Sequence, residues 1–367
     1  MQIMKYQSIK RNLSIIAIFI TLTNCSQDYT DGRYQVFNKE NSLYSYLDEN
    51  NEEQVTQLKF SEGLAAVKLH AIDARGYINK EGEIILKPNV DKVYNFSEGI
   101  ACVEVDFKLG YINKNGEYIV KPKFEGFPHK YNNGMALVSI NNLYGFIDKK
   151  GEYVVDPMLN YGLSFQENVA RVVDTTSFLF SYIDEKGKTI IKPQFEKAGN
   201  FTNGFAAVSI DEDLFGFINK KGRMVIKPQF EQVGDFIGEL APVRIDDQGG
   251  YINKQGNITI PLKYESVANF EDDLARVKIN DKWGVINTNG EFVIQPKFDR
   301  LYPFQDGIAR MVMNRKYGYI NKKGEIIIDP VFISAEDFAI GVAYVEDDKH
   351  IGYIDRKGKF VYQKIKN

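Results

Sequence analysis

Lys282-Trp283-Gly284-Val285-Ile286-Asn287-Thr288-Asn289-Gly290-Glu291-Phe292-Val293-Ile294-Gln295-Pro296 reads as two short strands folded about a tight turn. Val285 and Ile286 are adjacent and both apolar, and neighbours on a strand point to opposite faces, so both faces of this strand must be buried. Asn287 opens the turn and Gly290 holds its fourth position. That pattern suits a type I turn in which the Asn side chain bonds the following backbone and Gly takes the positive-φ place of a G1 bulge. Upstream, Leu274 to Ile279 alternates, with Ala275, Val277 and Ile279 to one side and Arg276 and Lys278 to the other. Downstream, Pro296 has no N–H for a ladder and is read as the end of the third strand.

The same phrase recurs along the chain. The anchor Gly-aromatic-Ile-Asx appears at Gly76, Gly110, Gly145, Ser181 (in place of Gly), Gly216, Gly250, Gly284 (with Val285 in the aromatic place), Gly318 and Gly352, advancing by 34, 35, 36, 35, 34, 34, 34 and 34 residues. A period near 34 is shared with helical repeats, but Gly and Pro interrupt every candidate helix here, and the pieces alternate with period two. The fold class is therefore expected to be all-β: a tandem array of about nine three-stranded antiparallel meanders. Each sheet is too small to be stable alone and must bury its second face on a neighbour. Residues 43–58 begin Leu43-Tyr44-Ser45-Tyr46-Leu47-Asp48-Glu49, an echo of Phe180 to Glu185, and are read as a degenerate capping unit ahead of a repeat domain over 59–367. The unequal ends favour an open superhelix; propeller-like closure is the other form the pattern allows.

The residues that carry a family resemblance are Lys282-Trp283-Gly284-Val285-Ile286-Asn287, Lys316-Tyr317-Gly318-Tyr319-Ile320, the preceding phrase Phe60-Ser61-Glu62-Gly63-Leu64-Ala65, and the closing Ile294 to Phe298. Together they resemble the WG (or KWG) repeat of bacterial proteins, over roughly residues 58–367. The resemblance implies a β-rich repeat and brings no catalytic residues with it. One unit alone keeps the Trp, which marks a divergent member.

The N-terminus gives an address. Lys5, Lys10 and Arg11 precede the ten-residue run Leu13 to Leu22, too short to span a bilayer and typical of a secretory signal. Leu22-Thr23-Asn24-Cys25 resembles a lipobox, so residues 1–24 are read as a signal peptide and 25–42 as a lipidated Cys25 with a polar tether. Cleavage would remove three basic groups and no acid, taking the net charge from −3 to −6. The expected location is a bacterial cell envelope, held by a lipid anchor on an outer-membrane or periplasm-facing surface, with simple secretion as the alternative.

Composition narrows the chemistry. At 44% hydrophobic the chain has ample core, and its mild acidity argues against a nucleic-acid partner. Two cysteines and three histidines (His70, His129, His350) are too few and too scattered for a metal or acid/base centre. Gly187-Lys188-Thr189 ends like a phosphate-binding loop but sits in a hairpin turn, and Asp211-Glu212-Asp213 begins like a calcium loop without its later ligands. No catalytic residue, cofactor or metal is expected. The aromatic column Tyr77, Tyr111, Phe146, Tyr182, Phe217, Tyr251, Tyr319 and Tyr353 is assigned to packing between units. The residues following Ala on the first strand vary from unit to unit and are read as solvent-facing. Arg171, Arg244, Arg276, Lys278 and Arg310 among them form a possible ligand-binding stripe; ordinary solvated strand is the plainer reading. The functional expectation is a non-catalytic envelope lipoprotein that binds a macromolecule, either protein or acidic polysaccharide. A structural envelope role without a ligand, and a hydrolase with an unrecognised site, are the competing readings.

Overall fold

The computed structural model describes residues 34–47, 52–70, 73–211 and 213–366. The signal segment and Cys25 lie outside the described residues. Among the described residues every regular element is a strand, and the strands form nine antiparallel sheets: two of three strands, six of four and one of six. The unit anchored at Gly284 is representative. Its strands are Leu274–Ile279, Lys282–Asn287 and Phe292–Phe298, preceded by a short edge strand, Ser266–Val267, that the sequence pattern did not reveal. In the six-stranded sheet the long strand Tyr153–Gly162 serves two units, running unbroken from the third into the fourth.

The turns form as their residues dictate. Asn287 Oδ1 accepts from the amides of Asn289 and Glu291, both at 3.0 Å, and Gly290 N–H donates to Asn287 O at 2.9 Å. Gly290 has φ +81°, and an added Cβ would lie 3.2 Å from Ile260 Cγ2 of the preceding unit. The turn before the first strand is a two-residue type I′ hairpin: Glu62 and Gly63 have φ +53° and +87° between paired Ser61 and Leu64. Pro296 does not end the third strand. It sits inside Phe292–Phe298, where the register jumps from Val285↔Ile294 to Trp283↔Phe298, so the missing N–H falls at an edge-strand bulge. That bulge presses on the anchor glycine: a Cβ at Gly284 would meet Ile294 O at 2.6 Å and Pro296 N at 2.9 Å.

Packing follows from the double-sided second strand. Val285 faces the next unit with Ile294, Phe298, Leu301, Ala309, Met311 and Ile320, while Ile286 faces the previous one with Tyr251, Ile260, Tyr264, Ala275 and Val277. Equivalent layers join every consecutive pair of units from Tyr34 to Ile354. The aromatic column is buried in these layers, as expected, except at half-buried Tyr353. Its tyrosines also pin the next unit: the hydroxyls of Tyr77, Tyr182, Tyr251 and Tyr319 donate to the carbonyls of Tyr94, Gly199, Ala268 and Glu336 at 2.7–2.8 Å. Ion pairs add a rim. Lys114, Lys149, Lys220 and Lys322 reach back to Glu62, Glu98, Glu167 and Asp272 of the preceding unit at 2.8–3.0 Å. Where the acid position holds Asn133, the matching basic position holds Glu185, so the ladder skips both partners together.

Of the two forms left open by the sequence, the chain adopts the closed ring, a β-propeller, and the expected open superhelix is corrected. The leading unit closes it. It comprises Gln35–Asn38, Leu43–Leu47 and Glu53–Gln57, so residues 35–38 are a strand and 39–42 the turn that follows it, rather than a tether. Its Gln57 amide donates to Tyr353 Oη (3.2 Å), and Gln57 Nε2 to Ala339 O (2.6 Å). Asn41 Nδ2 donates to Ile340 O at 2.8 Å, Lys364 Nζ to Gln54 Oε1 at 2.7 Å, and Phe37 meets Tyr362 edge-on at 5.7 Å. The divergent first unit is thus the part that mates with the last, and the divergence is mostly polar substitution where the two meet.

Candidate functional site: the arginine positions between units

The residue after Ala on the first strand points at the next unit, not at solvent. Cys102, Leu137 and Ala207 are buried there, and Arg171, Arg276 and Arg310 are half-buried. The solvent-facing stripe is corrected accordingly: the alternation was read properly, but the second face of the strand is covered by the neighbouring sheet.

Each of these arginines lies by the aromatic residue that precedes its unit's anchor. Arg171 is 5.1 Å from the Phe180 ring centre, Arg276 is 6.0 Å from Trp283, and Arg310 is 5.7 Å from Tyr317 and 3.8 Å from Tyr302. A guanidinium over a ring face is held by the ring quadrupole and keeps its planar edge free for hydrogen bonds. Arg276 Nη1 donates to Leu301 O of the next unit at 2.9 Å. Arg310 Nη1 donates to Ala335 O, and its Nε lies 3.1 Å from Asp337 Oδ1. Burial lowers the Arg276 pKa, with the charge of Glu271, Tyr251 and Asp337 opposing that shift. Asp337 acts on Arg276 from two units away, so these side chains approach one another across the intervening unit.

The other two stripe residues are engaged locally. Arg244 pairs with Asp247 at 3.1 Å and donates to Glu265 O; Lys278 pairs with Glu265 at 3.1 Å and Asp281 at 2.7 Å. Glu265 and Asp281 are held below the usual carboxylate range by backbone amide and Lys278 contacts respectively. A cavity of about 280 Å³ opens beside Arg244, lined by Gly234, Pro242, Glu265 and Asn269. A second, of about 360 Å³, is bounded by Ser61, Tyr94, Cys102 and His129. Burial pushes the Cys102 thiol up to about 12 and depresses His129, so neither is poised as a nucleophile or a charged acid at neutral pH. His70 stacks on Tyr46 and His350 faces Asp347, well apart along the chain. Among the described residues no three His, Cys, Asp or Glu side chains gather as a metal set. Gly187-Lys188-Thr189 is an Asx hairpin, with Asp184 Oδ1 accepting from Lys186 and Lys188 amides. Asp211 and Asp213 flank residue 212, which lies outside the described residues.

Sequence reasoning missed the partners of the arginines. Part of the signal was present: all three units with Arg at this position carry an aromatic before the anchor (Phe180, Trp283 or Tyr317), whereas of the other six, two carry Tyr144 and Phe215 there and four carry Arg75, Leu109, Gly249 and Ile351.

Fold and site together define an all-β repeat ring with a recurrent inter-unit core and variable polar positions between its sheets. The chain belongs to the family described as the WG containing repeat, matched in eight copies at residues 76–107, 110–144, 144–174, 180–212, 215–248, 250–283, 283–317 and 317–349. No curated protein matches it. Among solved structures it is similar to a eukaryotic initiation factor (TM-score 0.54, 10% identity, 80% of this chain and 93% of that one). Weaker likenesses are the computationally designed Ika8 protein (TM-score 0.40, 12% identity, 73% and 93%) and BamB from Moraxella catarrhalis (TM-score 0.39, 11% identity, 74% and 94%). At such identities the initiation factor speaks to fold alone.

Proposed function

We propose that this protein is a non-catalytic binding module that takes an acidic macromolecule against the inner wall of its ring, and that it is held at a bacterial envelope through a lipid on Cys25. The observation that carries the binding reading is the recurrence of arginine at one repeat position in units four, seven and eight, each time on an aromatic support. A purely structural role accounts for Arg276 and Arg310, which tie one unit to the next, but not for Arg171, whose side chain has no such partner among the described residues. The repeat family and the ring are compatible with a non-enzymatic role. Electrostatic complementarity would favour an acidic partner over the rest of this acidic surface.

The chain lacking residues 1–25 is the bait for affinity capture from envelope and host extracts. Recovery of a specific partner, lost at high salt, supports the reading; a clean bait with no enriched partner at low salt contradicts it. The anchor is tested separately by fatty-acid labelling of the full chain, which Cys25→Ala should abolish.

A further inference from the structure

The three arginines are equivalent by repeat position but not in charge compensation, and one of them stands apart. Arg310 has Asp337 as a counter-ion and a backbone carbonyl as acceptor. Arg276 has the Leu301 carbonyl, with the charges of Glu271 and Asp337 acting on it. The Arg171 side chain makes no hydrogen bond or ion pair among the described residues; its Nε, like that of Arg310, is sealed from solvent without a hydrogen-bond acceptor, but no carboxylate pairs with it as Asp337 does with Arg310. The repeat register explains the difference. Gln166 stands where unit seven has Glu271, and Asn200 stands where Asp337 meets Arg310. Both carboxylate positions are neutral amides around unit four.

Arg171 is nevertheless held in place. Its guanidinium lies 5.1 Å from the Phe180 ring and 5.9 Å from that of Tyr161. Those rings meet edge-on at 6.1 Å, and Tyr144 continues the row at 6.4 Å from Tyr161. A cation fixed by aromatic faces, with its donors unspent and no internal anion, is the half of an ion pair whose other half comes from outside.

We infer that Arg171 binds the carboxylate of a uronate residue in an acidic polysaccharide, with Tyr161 as the platform for the sugar ring. This deepens the binding reading above and rests on it. The guanidinium edge matches a planar carboxylate through two parallel N–H···O bonds. Tyr161 is 38% exposed and offers an apolar face beside that edge, which a sugar's C–H face covers and a Glu or Asp side chain does not need. One guanidinium also suits one negative charge per sugar.

The test uses the chain lacking residues 1–25, as wild type and as Arg171→Gln, Arg171→Lys and Tyr161→Leu, titrated calorimetrically with tetragalacturonate and tetramannuronate. Binding of one uronate by the wild type is expected, weakened tenfold or more by Arg171→Gln and by methyl esterification of the ligand. Arg171→Lys should retain part of the affinity, and Tyr161→Leu should lower it for the sugar. Unchanged thermal unfolding of Arg171→Gln shows that lost binding is not lost folding. No binding of either uronate, or equal affinity in Arg171→Gln, overturns the inference. So does tight, Arg171-dependent binding of polyglutamate with none of the uronates, which assigns the site to an acidic peptide and leaves the broader binding reading standing. That broader reading fails only if the extract capture recovers no partner.

Discussion

Two kinds of residue carry the account at the finest scale. The turn glycine Gly290 combines φ +81° with the close approach of Ile260, so Gly290→Ala meets both backbone strain and a packed neighbour. The left-handed conformation alone costs about 1–2 kcal/mol in an L-residue, and a thermal midpoint lower by about 1–3 °C is expected for a chain of this size. An unchanged midpoint would remove the bulged-turn explanation of the repeat. The arginines give a paired prediction. Arg310→Gln strips Asp337 of its counter-ion and should destabilise by about 1–2 kcal/mol, allowing for solvent screening at the carboxylate. Arg171→Gln removes no hydrogen bond and should cost less than about 1 kcal/mol, the scale of its ring contacts. Equal losses in chemical denaturation would contradict the difference in compensation between the two sites. The turn glycines and the identity of the core column were legible in the sequence, because each is a local or period-two signal. The burial of Arg276 and Arg310 was not legible, because alternation says which side of a strand a residue takes and not what covers that side.

At the scale of elements, the turn-to-turn ion pairs set an acid limit. Lys114 and Lys149 hold Glu62 and Glu98 below the ordinary value of 4.5, and Lys322 holds Asp272 below 3.8. A carboxylate depressed in the folded state contributes stability above its unfolded pKa, and that contribution is lost as pH falls through the folded value. The thermal midpoint should therefore be nearly flat from pH 7 down to about 5.5 and fall below about 4.5. Lys114→Met should lower the midpoint slightly at pH 7, since exposed pairs are worth about 0.2–1 kcal/mol, and by less at pH 3. A mutational effect that grows in acid would reverse the assigned sign. The three principal strands were legible from their alternation, whereas the short edge strand was not. Two residues such as Ser266–Val267 give no periodicity, and they become a strand only because the adjacent first strand offers free ladder positions. Pro296 misled for a related reason: a missing donor ends a central strand but is tolerated at the bulge of an edge.

For the whole molecule, closure depends on the unit whose sequence is least like the rest. Consecutive units are joined by buried apolar layers, while the leading and last units meet through Gln57, Asn41, Gln54 and the edge contact of Phe37 with Tyr362. A seam built largely of hydrogen bonds opens more readily than a packed layer. Amide exchange at Gln54–Gln57 and Ile351–Asp355 should be faster than at Ala275–Val277 and Val285–Ile286; equal protection would mean the seam is no weaker than the other interfaces. The ring was legible as one of two forms, and what hid the answer is that Leu43 to Leu58 lost the Gly and Pro of the repeat while keeping its strands. Binding on an inner wall requires that ring, since an open stack leaves the equivalent positions spread along a line. Small-angle scattering from the chain lacking residues 1–25 decides between them. A closed ring of this length should give a radius of gyration of about 20 Å, as for any compact domain of its size. Ten units stacked linearly at about 10 Å would give roughly 30 Å, and that value would contradict the closed ring.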